Sequence, residues 1–472
     1  MEEKKLDKLF VGGDMSGIQK FLYNVTSKKA AVSLIGRSEY LNRQLNETCI
    51  NLLKEEAVNS SAYIDQIYCS GGKFYLIVDN TPEVVESIDN YSRSVEEQMW
   101  NEHFGQLFLY ISYVPFAFNA DDTIRTEEKE SAPIGELWRL LANKFAILKN
   151  QKLKDLLSSE FENFFDVQKV GGSPQVCAIT GIESDKLVTI EKDEYGDAVQ
   201  VLPIVQKQIE LGKKIREQRG FKTFAQYAQK SKLGVLRMDI DNLGASIQKC
   251  RTLDEYKKLS AILTKYFEEN IWILQHNYKD SVNLIYAGGD DVFAVGHWNY
   301  VIEFAHDLAN NFNKYIQNSG LTLNAKLTLS GGVAIVDDKF PISKAAQIAG
   351  DAEDASKHNN NGEKNAFTFL GNTISWHDYD YIYSFKKDFV TLCREHNMPK
   401  SILHKMMAYN DMRKNGRLEY IWNSMYFIAR FNEYKNDEIK KFVKKLHNEL
   451  IEDTNNYGYI ALAARWAELE MK

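Results

Sequence analysis

The chain carries one punctuated pattern twice. Residues 66–78 read QIYCSGGKFYLIV and residues 284–296 read LIYAGGDDVFAVG, each a glycine pair between two apolar runs. Apolar runs flanking a short glycine turn predict a β-hairpin. Upstream, LFVGGDMSGIQKFL (9–22) and LGVLRMDIDNLGASI (233–247) each run from apolar residues into an aspartate, Asp14 and Asp239. Downstream, LFLYISYVPF (107–116) and KLTLSGGVAIV (326–336) each supply a further strand-like stretch. Helical spacing fills the gaps: Leu259, Ile262, Leu263, Tyr266 and Phe267 recur on one helix face. A duplicated β-helix-β-helix-β unit leaves few folds open. It predicts an α+β chain with two ferredoxin-like sheets, each with helices on one face. The loop after the first strand and the central hairpin then meet at one sheet edge, which brings Asp239 near Asp290.

The 472 residues divide accordingly. The first repeat takes 1–122, a middle segment expected to be helical takes 123–230, the second repeat takes 231–375, and a helical domain takes 376–472. In that last domain Ile421, Met425 and Ile428 form an apolar stripe that reads as core. The length suits roughly three or four domains of ~100–150 residues. A net charge of −7 argues against a general nucleic-acid coat, though not against a local basic groove. No apolar run is long enough to span a membrane, and MEEKKLDKLF lacks a signal-peptide apolar stretch, so no membrane association is expected. The cysteines (49, 69, 177, 250 and 393) include no CxxC pair. That predicts a reduced, cytoplasmic protein with neither a disulfide framework nor a four-cysteine zinc site.

Gly288 and Gly289 are explained by a turn, but Asp290 and Asp291 are not. Adjacent anions at the start of an apolar strand repel each other and call for positive charge nearby. No Lys or Arg is close in sequence. Together with Asp239 and the backbone carbonyl of Ile240, they make an oxygen-rich set suited to Mg²⁺ or Mn²⁺, held as two ions. Such a set can neutralise a triphosphate and activate a 3′-hydroxyl for in-line displacement. The glycines allow a nucleotide close to the backbone. Asp241 and Asn242 precede a helix start, where Asp241 serves either a phosphate or a helix cap. Lys357 on a helix and Lys364 in the next loop either reach a triphosphate or stay solvated. In the first repeat, Lys73 and Phe74 take the places of Asp290 and Asp291 when the glycine pairs are aligned.

The landmarks GDMSGIQKF…SGGKF and MDIDNLG…AGGDD, with LIGRSEYL around Gly36, Arg37 and Ser38, resemble the large, polymerase-bearing subunit of type III CRISPR effector complexes. The resemblance covers most of the chain. It implies two palm domains similar to nucleotidyl cyclases, with helical middle and C-terminal parts. It also implies that ATP is turned into cyclic oligoadenylates when target RNA is bound, as an antiviral signal. Carried over to this sequence, Asp239, Asp290 and Asp291 hold metal and act in catalysis in the second palm. Asp14, Ser16, Gly17, Gly71, Gly72 and Lys73 face a nucleotide in the first palm, which lacks the acid pair. The implied partners are the subunit that binds the guide-RNA handle, a small subunit, the guide RNA and the target RNA.

Two departures matter. Many members open with an HD nuclease domain, whereas this chain opens almost at once on the first palm. Its His306-Asp307 and His377-Asp378 pairs fall in later domains, so no DNase activity is expected. Members often carry two cysteine pairs in the middle segment, whereas VCAITG keeps only Cys177 and VLPIVQ has none, so no zinc is expected. Two alternatives stand beside this reading. One is a diguanylate-cyclase-type enzyme, against which Val292 follows Asp291 in place of that class's Glu-Phe. The other is a catalytically silent scaffold, against which the acid set is intact. Whether AMP is joined to another small molecule stays open.

Overall fold

The computed structural model describes every residue except 1–4, 27–28, 155–156, 159–174, 193–195, 230, 322–325, 359–363 and 432–435. The first repeat runs β1 (Lys8–Ser16), α1 (Ile18–Tyr23), α2 (Ala30–Lys54), β2 (Ile64–Ser70), β3 (Lys73–Asp79), α3 (Pro82–His103), β4 (Phe108–Phe118) and β5 (Ile124–Arg125). Its strands lie in the order β2-β3-β1-β4-β5, with antiparallel neighbours throughout. Strand alternation sends Leu9 and Val11 into one apolar core and Phe10 into another. Both faces of the sheet are therefore covered, where the sequence pattern predicts helices on one. The second cover is α4 (Gly135–Asn150), whose Trp138 ring lies 4.5 Å from that of Phe10. This helix, expected to open the middle segment, packs on β1 and β4 instead.

The middle segment is not helical throughout. It holds two hairpins, β6 (Gln175–Val176) with β7 (Glu183–Ser184) and β8 (Val188–Lys192) with β9 (Ala198–Val201), before α5 (Pro203–Arg219) and α6 (Phe224–Ala228). Helix α5 crosses α2 where Gly212 meets Gly36, and a Cβ on either glycine would collide with the other helix's backbone. That close approach explains why both positions are glycine.

The second repeat runs β10 (Lys232–Asp241), α7 (Leu243–Gln248), α8 (Leu253–Lys265), α9 (Ile271–His276), β11 (Val282–Gly288), β12 (Asp291–His297), α10 (Trp298–Asn318), β13 (Thr328–Asp337) and α11 (Ile342–Lys357), then a hairpin of β14 (Ala366–Phe369) and β15 (Asn372–Ser375). A π-helical turn, Tyr266–Asn270, joins α8 to α9. The sheet order β11-β12-β10-β13-β14-β15 repeats the first sheet's β2-β3-β1-β4 core. Even the irregularities match, with register shifts at Gln66/Tyr68 and at Leu284/Tyr286.

The matched registers correct one alignment. In the first hairpin the turn is Gly71-Gly72 and Ser70 pairs with Lys73. In the second the turn is Gly289-Asp290 and Gly288 pairs with Asp291. Asp14 faces Lys73 across β1 and β3 as Asp239 faces Asp291 across β10 and β12. The Met15 amide donates to the Gly72 carbonyl at 2.8 Å, and the Ile240 amide to the Asp290 carbonyl at 3.1 Å. Lys73 thus stands in Asp291's place and Gly72 in Asp290's. Aligning the two glycine pairs misses this because Gly288 already belongs to its strand.

The remainder is helical: α12 (Tyr379–Glu395), α13 (Ser401–Lys414), α14 (Tyr420–Arg430), α15 (Asp437–Glu452) and α16 (Asn456–Glu470). Trp466 of α16 is fully buried between its neighbours. The inward face of α14 is Tyr420, Ser424 and Ile428, one turn apart each, while Ile421, expected in the core, is 44% exposed.

Candidate active site

Asp239 and Asp291 face each other across paired strands, and Asp290 sits in the adjoining turn. One carboxylate oxygen from each lies within 4.8 Å of the others, and this is the one cluster of three or more metal-ligating side chains among the described residues. Burial, and then the charge of Asp290, pushes the Asp239 carboxyl up to about 7. The same two causes push Asp291 up to about 6. The cluster is therefore short of positive charge. Part of the deficit is met by Lys357, at the end of α11, whose Nζ lies 2.6 Å from both Asp239 Oδ2 and Glu353 Oε1. Burial alone would lower the Lys357 ammonium, but Asp239 and Glu353 hold it above its ordinary value. Arg237 in turn pairs with Glu353 at 3.2 Å. Three converging carboxylates, two of them held back from ionising by burial and by the charge of Asp290, fit a hard divalent cation such as Mg²⁺ or Mn²⁺.

Asp239 and Asp291 floor a cleft of ≈ 730 Å³ between the two repeats. Gln19, Lys20 and Tyr23 of α1 form one wall, and Gln347, Glu353 and Lys357 of α11 form the other. The Tyr23 ring sits 4.6 Å from that of Phe293 on β12. Beside the cleft the two hairpin turns meet. A Cβ on Gly71 (φ 57°) would collide with the backbone of Gly289 (φ 67°). A smaller cavity of ≈ 70 Å³ opens on the other side of this contact, lined by Tyr68, Lys73, Tyr75, Gly289, Asp290 and residues of α7 and α8. Lys73 thus faces the acidic turn of the second repeat.

The remaining candidates divide. Asp14 is paired with Lys149 of α4 at 2.6 Å, the same length as the Asp239–Lys357 pair. Lys149 lies in the last turn of α4, the first helix after β5, and Lys357 ends α11, the first helix after β13. Ser16 closes β1, and Gly17 (φ 90°) has no room for a Cβ beside the Gln106 carbonyl. The Ile240 side chain is buried, and its amide is bound to the Asp290 turn. Asp241 neither faces phosphate nor caps a helix. It is buried and accepts from Thr328 Oγ1 (2.6 Å), Ser330 Oγ (2.9 Å) and the Asn365 amide (3.0 Å), which ties β10 to β13 and the approach to β14. Asn242 (φ 63°) turns the chain into α7 and donates to the Lys326 carbonyl. Lys364 is exposed and lies outside the cleft lining. Arg237, Glu353 and Tyr23 line the cleft and Lys149 pairs with Asp14, and none of the four stands out in the sequence.

The family model for the second palm domain of Cas10/Cmr2 matches residues 232–368, and that for Csm1 subunit domain B matches residues 8–169. Among relatives, the Cas10/Csm1 single-strand-specific deoxyribonuclease (subtype III-A) of Mycobacterium tuberculosis is 25% identical over 92% of this chain. That of Streptococcus thermophilus is 24% identical over 96%. These matches support a type III Cas10 large subunit. The chain spans 63% and 61% of the length of those two relatives. A Cas10/Csm1 fold also emerges from solved structures. A Csm1–Csm4 cassette in complex with cA4 superposes with a TM-score of 0.70 at 18% identity, covering 99% of this chain and 70% of that one. A Csm1–Csm4 cassette with one ATP gives 0.67 at 17% identity, again covering 99% and 70%.

Proposed function

We propose that this Cas10/Csm1 chain transfers nucleotidyl groups from ATP, forming a cyclic oligoadenylate or a related AMP-containing second messenger when its effector complex binds target RNA. The observation that carries the reading is the convergence of Asp239, Asp290 and Asp291, the first and last of which floor a cleft between the two repeats. Two divalent ions held by these three side chains, with the Ile240 carbonyl, would supply charge neutralisation for a triphosphate and acidify an attacking 3′-hydroxyl. Lys357 contributes a fixed positive charge beside the triad, and Arg237 is held at the same place through Glu353. Tyr23 and Gln19 offer the opposite wall to a nucleoside. Gly289, without a Cβ, lets the Gly71 turn of the first palm approach beside the acids. Lys73 lines the smaller cavity with Asp290, and a lysine there would meet phosphate directly rather than through metal.

Bound cA4 and ATP in the solved Csm1–Csm4 cassettes support an adenine-nucleotide substrate. They also support a Csm4-type partner subunit, to which the reading adds a small subunit, guide RNA and target RNA. The reading gives these residues no deoxyribonuclease centre, although the relatives are named for that activity. His306 stacks on Tyr379 at 3.9 Å and bonds with Asn310 at 2.9 Å, with Asp307 and Asp380 each 3.6 Å from its ring nitrogens.

The test is to supply the assembled, guide-loaded complex with labelled ATP, Mn²⁺ and target RNA, and to identify the product by mass. A cyclic, AMP-containing product is expected. Consumption of GTP to a cyclic dinucleotide, or no consumption of ATP, overturns the reading.

A further inference from the structure

Arg37 is 1% exposed, one of the largest fully buried side chains in the protein. Among the described residues no carboxylate lies within 4.0 Å of it. Burial lowers its pKa to about 10, a shift that the nearby Cys177 opposes. Burying a cation without a counter-ion is costly, so such a residue persists where its donors meet a specific demand. Here the demand is backbone. Arg37 Nη1 donates to the Phe21 carbonyl at 2.5 Å and the Asn24 carbonyl at 2.9 Å, and the guanidinium lies 4.9 Å from the Phe21 ring centroid. These carbonyls lie at the C-terminal end of α1, where helix carbonyls lack intrahelical partners and carry partial negative charge.

Helix α1 has six residues and cannot hold its own geometry in isolation. Its exit is gripped from the other side by the middle segment. Thr26 N donates to the Ile179 carbonyl at 3.0 Å, and Thr26 Oγ1 to the Ala178 carbonyl at 2.8 Å. Asn24 Nδ2 reaches the Thr180 carbonyl at 3.4 Å. Yet α1 supplies Gln19, Lys20 and Tyr23, the wall that faces Asp239 and Asp291 across the cleft.

We propose that Arg37 is a positioning residue for the nucleotide cleft, holding the carbonyl end of α1 so that Tyr23 and Lys20 face the acid triad, with the 178–180 loop as the second clamp. The proposal rests on the cleft being the nucleotide site. Arg37→Met keeps an apolar stem of similar reach and removes the donors. With the full chain and Mn²⁺, it raises the dissociation constant of a non-hydrolysable ATP analogue by about tenfold or more, as expected when one wall of a site is misplaced. Mn²⁺ affinity at the triad stays at the wild-type value, because Arg37 touches none of the three acids. A merely structural role gives a different signature: fewer binding sites per mole of protein, each with unchanged affinity. Arg37→Lys, with the charge kept and one nitrogen in place of three, recovers part of the affinity. If Arg37→Met does not fold, Thr26→Val decides, since it removes only the surface-exposed Oγ1 bond and is expected to weaken the analogue in the same direction. Wild-type affinity in the variant that folds overturns the proposal. Failure of the wild-type chain to bind the analogue at all overturns the function reading instead.

Discussion

Asp239 and Asp291 are folded into a site that resists their ionisation, and this sets a pH dependence. Their folded pKa values, about 7 and about 6, lie above the ordinary 3.8. The folded state therefore holds protons that the unfolded chain has already released. The stability they contribute is fully present below about pH 4 and is lost as pH rises through 6 to 7. For the metal-free chain, unfolding in chelator is expected to become easier from pH 5 to pH 8, by on the order of a few kcal/mol in total. Asp239→Asn flattens that slope. Mn²⁺ raises the melting temperature more at pH 8 than at pH 5.5, and equal stabilisation at both would contradict the charge deficit. Lys73 gives a second test. It faces Asp14 where the other palm pairs two acids, so Lys73→Ala is expected to weaken ATP binding severalfold and leave Mn²⁺ affinity unchanged, both read by calorimetry. The Asp triad was legible in the sequence because adjacent carboxylates before an apolar strand have no packing explanation. Asp241 misled because a carboxylate before a helix start fits a cap or a phosphate equally well, whereas its partners Thr328, Ser330 and Asn365 come from distant segments.

At the scale of elements, the two hairpins were readable from glycine punctuation and apolar runs, and both form. Their registers were not readable, because a one-residue difference in where the turn begins leaves the composition unchanged. The placement of α4 was hidden for a related reason: an amphipathic pattern shows that a helix buries a face, not which sheet receives it. The contact of Gly71 with Gly289 couples the palms and can be measured. Gly71→Ala adds a left-handed-conformation cost of roughly 1–2 kcal/mol and a backbone collision of roughly 1–3 kcal/mol. Gly220→Ala is the control, with φ 68° and nothing within 4 Å of its added Cβ. Thermal unfolding is expected to show a clearly larger drop for Gly71→Ala, and equal drops would mean that the turns do not bear on each other.

For the whole molecule, the duplicated pattern gave the sequence reading its fold class, and the closure of one cleft by both copies is what the duplication achieves. The net charge of −7 limits what the chain does alone. Non-specific RNA affinity comes mainly from phosphate neutralisation by Lys and Arg. The lone chain is therefore expected to bind target RNA weakly and to lose it steeply with salt, and submicromolar, salt-resistant binding by filter assay would contradict this. The central claim is that Asp239, Asp290 and Asp291 support nucleotidyl transfer. Its most direct test is pyrophosphate release from ATP by the target-bound complex, comparing wild type with Asp290→Ala/Asp291→Ala at matched folding and assembly. Release by the wild type and none above background by the double variant is the expected result, while equal release by both would contradict the account.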